Sequence, residues 1–113
     1  MKPLIIQGDT GKTTLANKIC AAITDRPARF TFTDDYIKIA DFWHDIDLSK
    51  ANQRLIIVEE VPTMTDIVKL HQLFGKVKVP IIYITQDQSN VPDGFNSIML
   101  NRLPGFAAVV SIS

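Results

Sequence analysis

Apolar residues gather in four short runs, Leu4 to Ile6, Leu55 to Val58, Ile81 to Ile84 and Phe106 to Ile112, all rich in Ile and Val. Runs without polar alternation suit strands buried on both faces, as in a parallel sheet covered by helices. The stretch ARFTFT, Ala28 to Thr33, alternates instead. Phe30 and Phe32 face one way and Arg29, Thr31 and Thr33 the other, the pattern of a half-exposed strand at a sheet edge. Between these runs the apolar spacing becomes helical. From Lys12 to Thr24, Leu15, Ala16, Ile19, Cys20 and Ile23 share one face, and Asp25-Arg26-Pro27 stops the run. A second helix is expected over Asp34 to Ile46, with Tyr36, Ile39, Ala40 and Trp43 inward. A third begins where Thr63 and Asp66 have capping-box spacing, carries the stripe Ile67, Leu70 and Phe74, and meets Gly75 as its C-cap. A short fourth helix is expected between Gly94 and Leu103. Strands alternating with helices predict an α/β domain with a mainly parallel sheet and right-handed crossovers.

The length, 113 residues, suits a single domain, and 46% apolar composition supports a core. Twelve Lys and Arg balance twelve Asp and Glu without forming blocks, so the charge gives no sign of a freestanding binder of DNA, RNA or anionic membrane. Cys20 is the only cysteine, which excludes internal disulfides and Cys-based zinc sites and points to a reducing, cytoplasmic setting. The opening MKPLIIQGDT reaches Gly and Asp too early for a signal peptide, and no apolar run approaches the roughly 20 residues of a membrane span.

The segment LIIQGDTGKTTLANKI, Leu4 to Ile19, runs from apolar strand through a Gly-containing turn into a helix. That is the context a phosphate-binding loop requires. Gly8 and Gly11 would let the backbone curl so that amides point inward, and the helix N-terminus and Lys12 would add positive charge. The cradle would comprise Gly8, Asp9, Thr10, Gly11, Lys12, Thr13 and Thr14, with the Thr13 hydroxyl on Mg²⁺. Against the full GxxxxGK[ST] pattern the spelling is irregular, because counting back from Lys12 places the first Gly at Ile6. An ordinary strand-to-helix turn with an incidental lysine is the plain alternative.

A second segment, LIIVEE, ends a buried run on two carboxylates at the edge where open α/β sheets bind ligands. The chain's only two glutamates are this adjacent pair, and the other ten acids are Asp. In a phosphate-loop enzyme the first acid of such a pair assists Mg²⁺ through water and the second polarises the attacking water. Glu59 is therefore the metal-side candidate and Glu60 the candidate base, unless the two acids simply end a strand in solvent.

Together these segments resemble a P-loop ATPase of the AAA+ type, close to the cores of helicase loaders and viral superfamily 3 helicases. GDTGKTT resembles Walker A, and LIIVEE resembles Walker B with Glu59 in place of the usual Asp. VPIIYITQD, Val79 to Asp87, resembles the strand carrying sensor 1, with Thr85-Gln86 where Thr-Asn is common. NRLPGFAAVV, Asn101 to Val110, resembles the stretch whose arginine acts on a neighbour's nucleotide, with Arg102 as the matching residue. The resemblance implies a three-layer P-loop NTPase core with a five-stranded sheet in the order 5-1-4-3-2, ATP with Mg²⁺, catalytic roles for Gln86 and Arg102, and ring-like or filamentous assembly. One domain over 1–113 is expected, departing from the family in lacking its small helical lid. Gln86 as a polar residue leaving a strand, and Arg102 as a surface residue capping the fourth helix, are the plain alternatives.

Other residues call for no chemistry. His44 and His71 lack ligand spacing and are expected on helix surfaces. Tyr36, Phe42 and Trp43 sit among Asp34, Asp35, Asp41, Asp45 and Asp47, which favours core packing or a protein interface over base stacking. Cys20 reads as a small core residue. The expected function is ATP binding with Mg²⁺ and slow hydrolysis, in company with other subunits, in DNA replication or a related process where nucleic acid is met only within the assembly. The alternative is a degenerate P-loop domain kept as a non-catalytic binding or assembly module. A small nucleotide kinase is disfavoured because Arg26, Arg29, Arg54 and Arg102 include no lid-like cluster.

Overall fold

The computed structural model describes residues 2–24, 27–46, 55–74, 79–101 and 109–112, with the side chains of Trp43 and of residues 109–111 outside that description. In chain order the elements are β1 (Leu4–Gly8), α1 (Lys12–Ile23), β2 (Ala28–Thr31), α2 (Tyr36–Asp45), β3 (Ile56–Val61), α3 (Met64–Phe74), β4 (Ile81–Thr85), β5 (Asn96–Asn101) and β6 (Val109–Ile112). One sheet runs β2-β3-β4-β1-β5-β6. Its first five strands are mutually parallel, and β6 is antiparallel to β5.

Strand alternation divides the core into two clusters, one on each face of the sheet. Ile5, Ile56, Val58, Ile81 and Tyr83 pack with Ile39 of α2 and with Ile67, Leu70 and Phe74 of α3. Their neighbours Ile6, Leu55, Ile57, Ile82 and Ile84 pack with Ala16 and Cys20 of α1. The central strands are thus covered on both sides, which is why they read as unbroken apolar runs. The edge strand β2 also follows its pattern, with Phe30 buried and Arg29 and Thr31 exposed.

Local signals hold where the expected partners are close in sequence. At α3 the Thr63 hydroxyl accepts from the Asp66 amide at 3.1 Å and donates to the Asp66 carboxylate at 2.7 Å, while Ile67 N–H bonds the Thr63 carbonyl. Asp35 caps α2 by accepting from the amides of Ile37 and Lys38 at 3.0 and 3.4 Å. The expected C-cap Gly75 lies outside the described residues.

Five expectations are corrected. No helix forms between residues 94 and 101: β5 lies there, paired with β1 from Leu4↔Asn96 to Gly8↔Leu100. A ladder with β1 and packing of Ile98 and Leu100 on the α1 side outweigh local propensity in so short a segment. The fifth strand of the parallel order is therefore 96–101. The run expected at 106–112 contributes β6, an antiparallel edge strand with Ile112 exposed, and residues 106–108 lie outside the described part. Among the described side chains of α2 and its C-cap, Ile39, Phe42 and Ile46 face inward and Tyr36 and Ala40 face solvent, with Phe42 tilted against Phe30 at 4.8 Å between ring centroids. On α1, Ile23 is half exposed. Finally, His71 is half-buried, its Nδ1 2.9 Å from the hydroxyl of fully buried Tyr83. Phe95 closes on both rings, at 5.2 Å from His71 and 6.2 Å from Tyr83.

The connection from β4 to β5, residues 86–95, crosses β1 without a helix. Val91 and Phe95 from this loop pack against the cluster that holds α2 and α3.

Candidate functional site

The C-terminal ends of β1, β3 and β4 converge beside the start of α1. At β1, Gly8 has φ +129°, and a Cβ there would lie 1.8 Å from the Leu100 carbonyl oxygen, so only glycine fits. The same oxygen accepts from the Asp9 amide at 3.1 Å. Gly11, at φ 68°, turns the chain into α1 as its N-cap without a side-chain cap. The turn between strand and helix is therefore only residues 9–11. The first-turn amides of α1, among them those of Lys12, Thr13 and Thr14, are the ones a helix leaves without partners of its own. Lys12 reaches back, its Nζ donating to the Gly8 carbonyl at 2.8 Å.

At β3 the pairing with β4 slips between Val58 and Val61, so that β3 carries one extra residue. The bulge places Glu60 at φ 58°, a left-handed conformation uncommon for a residue with a side chain and costing on the order of 1 kcal/mol. Glu60 is exposed. Glu59 Oε1 lies 3.2 Å from Arg29 Nη1, and Arg29 Nη2 also donates to Asn17 of α1. Both side chains of the ion pair are partly exposed, at 40% for Arg29 and 25% for Glu59. An exposed pair of this kind contributes at most about 1 kcal/mol.

At β4 the buried Thr85 hydroxyl accepts from the Asp87 amide at 3.0 Å. The Asp87 carboxylate accepts from the Met64 amide at 2.8 Å, from the Ser89 amide at 2.9 Å and from the Ser89 hydroxyl. These bonds, those to Ser89 first, hold its carboxyl below the usual carboxylate range. The Asp87 carbonyl in turn accepts from Gln7 Nε2 at 3.2 Å, as does that of Ser89.

The ends of β3 and β4 and the start of α1 enclose a cleft of about 720 Å³. Lys12 and Thr13 line it from α1, Glu59, Glu60, Val61 and Pro62 from β3 and its exit, and Ile84, Thr85 and Gln86 from β4. Five candidates taken from separate segments, Lys12, Thr13, Glu59, Glu60 and Gln86, thus meet at one site. Gly8, Asp9, Thr10 and Gly11 form the turn beside it, and exposed Thr14 is not among its lining residues. Arg102 lies outside the described residues. Arg29, Gln7 and Asp87 join the site without a role read from the sequence, although Gln7 and Asp87 lie within the two quoted segments that begin at Leu4 and Val79. The signals available were a lone cation on the polar face of ARFTFT and one amide inside an apolar strand.

Thr13 and Glu59 are among the oxygen-bearing side chains that line the cleft with Lys12. Such a pair is a fair fit to Mg²⁺, which takes one or two protein oxygens and completes its shell with water and phosphate. Among the described residues no group of three or more His, Cys, Asp or Glu side chains is placed to hold a metal by itself. None of the described helices is long and apolar enough to cross a membrane. Compared by sequence, the chain matches no protein-family model and no curated protein.

Proposed function

We propose that the cleft binds ATP with Mg²⁺ in the manner of a P-loop domain of the AAA+ type. The observation that carries this is the meeting of Lys12, Thr13, Glu59, Glu60 and Gln86 around one cleft at the C-terminal edge of a parallel sheet. Lys12 would leave the Gly8 carbonyl and engage the phosphates, together with the amides opening α1. Thr13 and Glu59 would hold Mg²⁺, which when bound neutralises charge on the phosphate oxygens. Glu60, exposed on its bulge, would orient a water in line with the terminal phosphate and take its proton, with Gln86 beside it. Hydrolysis by the chain alone would be slow. An arginine from a neighbouring subunit, Arg102 by the family's pattern, would raise the rate in an assembly engaged in DNA replication or a related nucleic-acid process.

Three contacts favour the second reading, a degenerate P-loop domain serving as a binding or assembly module. The Asp9 amide is engaged by Leu100, Lys12 by the loop's own carbonyl, and Glu59 by Arg29. Thermal unfolding separates the two. A nucleotide that binds only the folded chain stabilises it by about 2.7 kcal/mol at a hundred times its Kd. Mg-ATP should therefore raise the Tm of the wild type and leave that of Lys12→Ala unchanged. Equal Tm values with and without Mg-ATP in both proteins would favour the assembly module.

A further inference from the structure

Gln7 is out of place by composition. It is only 2% exposed, in the strand LIIQG, where an apolar side chain would pack without the desolvation that burying an amide entails. Its amide donates to the carbonyls of Asp87 and Ser89, both at 3.2 Å. The Asp87 carboxylate then uses both oxygens, one on the Met64 amide and the other on Ser89. It is not needed as the cap of α3, because Thr63 and Asp66 already form one.

Each anchor of this network adjoins a part of the cleft. Gln7 precedes Gly8, whose carbonyl holds Lys12. Asp87 follows Gln86, and Met64 follows Pro62 and Thr63. We infer that Asp87, tied to β1 by Gln7, is a positioning residue of the cleft: its carboxylate locks the start of α3 to the turn after β4, fixing Pro62 and Gln86 opposite Lys12. This role rests on the nucleotide reading above, and the network does not touch the phosphates itself.

The test titrates Mg-ATP into the wild type, Lys12→Ala, Asp87→Ala, Asp87→Asn, Gln7→Leu and Asp35→Ala, with the Tm of each measured alongside. Asp35→Ala removes the cap of α2, outside the cleft, and controls for lost stability. Asp87→Ala and Gln7→Leu should each weaken binding about tenfold, which corresponds to about 1.4 kcal/mol. Asp87→Asn keeps one acceptor and should recover part of the loss. Asp35→Ala should bind as the wild type does despite a lowered Tm. Wild-type affinity in the Asp87 and Gln7 variants overturns the positioning role and leaves the nucleotide reading intact. So does a loss in Asp35→Ala as large as theirs, because affinity would then follow stability alone. Absence of binding in the wild type and Lys12→Ala alike overturns the nucleotide reading, and the positioning role with it.

Discussion

The carbonyl oxygen of Leu100 occupies the space that a side chain at Gly8 would need, 1.8 Å from where its Cβ would lie. One backbone contact thereby joins the turn before α1 to β5 and leaves that oxygen bonded to the Asp9 amide. Gly8→Ala combines this clash with a backbone angle of +129° that L-residues rarely adopt. We expect it to destabilise the fold by about 3 kcal/mol or more, measured by urea unfolding. A loss under about 1 kcal/mol would mean that the turn and β5 separate easily.

Arg29 forms an ion pair with Glu59, which lines the cleft. Because both are partly exposed, Arg29→Ala should cost no more than about 1 kcal/mol of stability, and added salt should shrink the difference. On the nucleotide reading the same change frees Glu59 for the metal side, so Mg²⁺ dependence of ATP binding should shift to lower Mg²⁺. Titration at varied Mg²⁺ checks this, and an unchanged dependence would separate Glu59 from the metal.

His71 predicts a pH dependence whose sign follows from its surroundings. Burial lowers its pKa below the ordinary 6.5, so the unfolded chain binds a proton more readily than the folded one. The contribution to stability is full above pH 6.5 and declines as the pH falls below it. Asp87, whose carboxyl is lowered by hydrogen bonds, acts in the same direction but only as the pH falls through and below about 3.8. Thermal unfolding between pH 5 and 8 should show Tm falling with acidity in the wild type and a flatter profile in His71→Gln. Parallel profiles would assign the effect to other groups.

What the sequence disclosed depended on how near the partners lie. Alternation in ARFTFT was enough to set β2 at an edge, because the faces of a strand are fixed by neighbouring residues. The cap of α3 was equally plain, since Thr63 and Asp66 stand one turn apart. The helix expected between Gly94 and Leu103 gives way to β5 because what makes it a strand is pairing with β1, from the other end of the chain. A short run such as SIML fits helix and strand alike until that partner is known. On α2 the spacing finds Ile39 but not Phe42, whose ring packs against Phe30 from another element. At the cleft, residue types marked Lys12, Thr13, Glu59 and Glu60, and their convergence follows from strand ends sharing one edge of the sheet. Spacing carried no sign of the bulge that turns Glu60 or of the bonds that join Gln7, Asp87 and Met64.

On the nucleotide reading, the three-residue turn before α1 holds nucleotide phosphates through Lys12. Calorimetric titration of Mg-ATP into the wild type and Lys12→Ala tests it most directly. Lys12 makes its one described hydrogen bond to the loop carbonyl of Gly8, so its removal should leave the fold intact. Saturable binding by the wild type, lost in Lys12→Ala, is the expected result. Heats of dilution alone in both proteins, or equal binding in both, would contradict it.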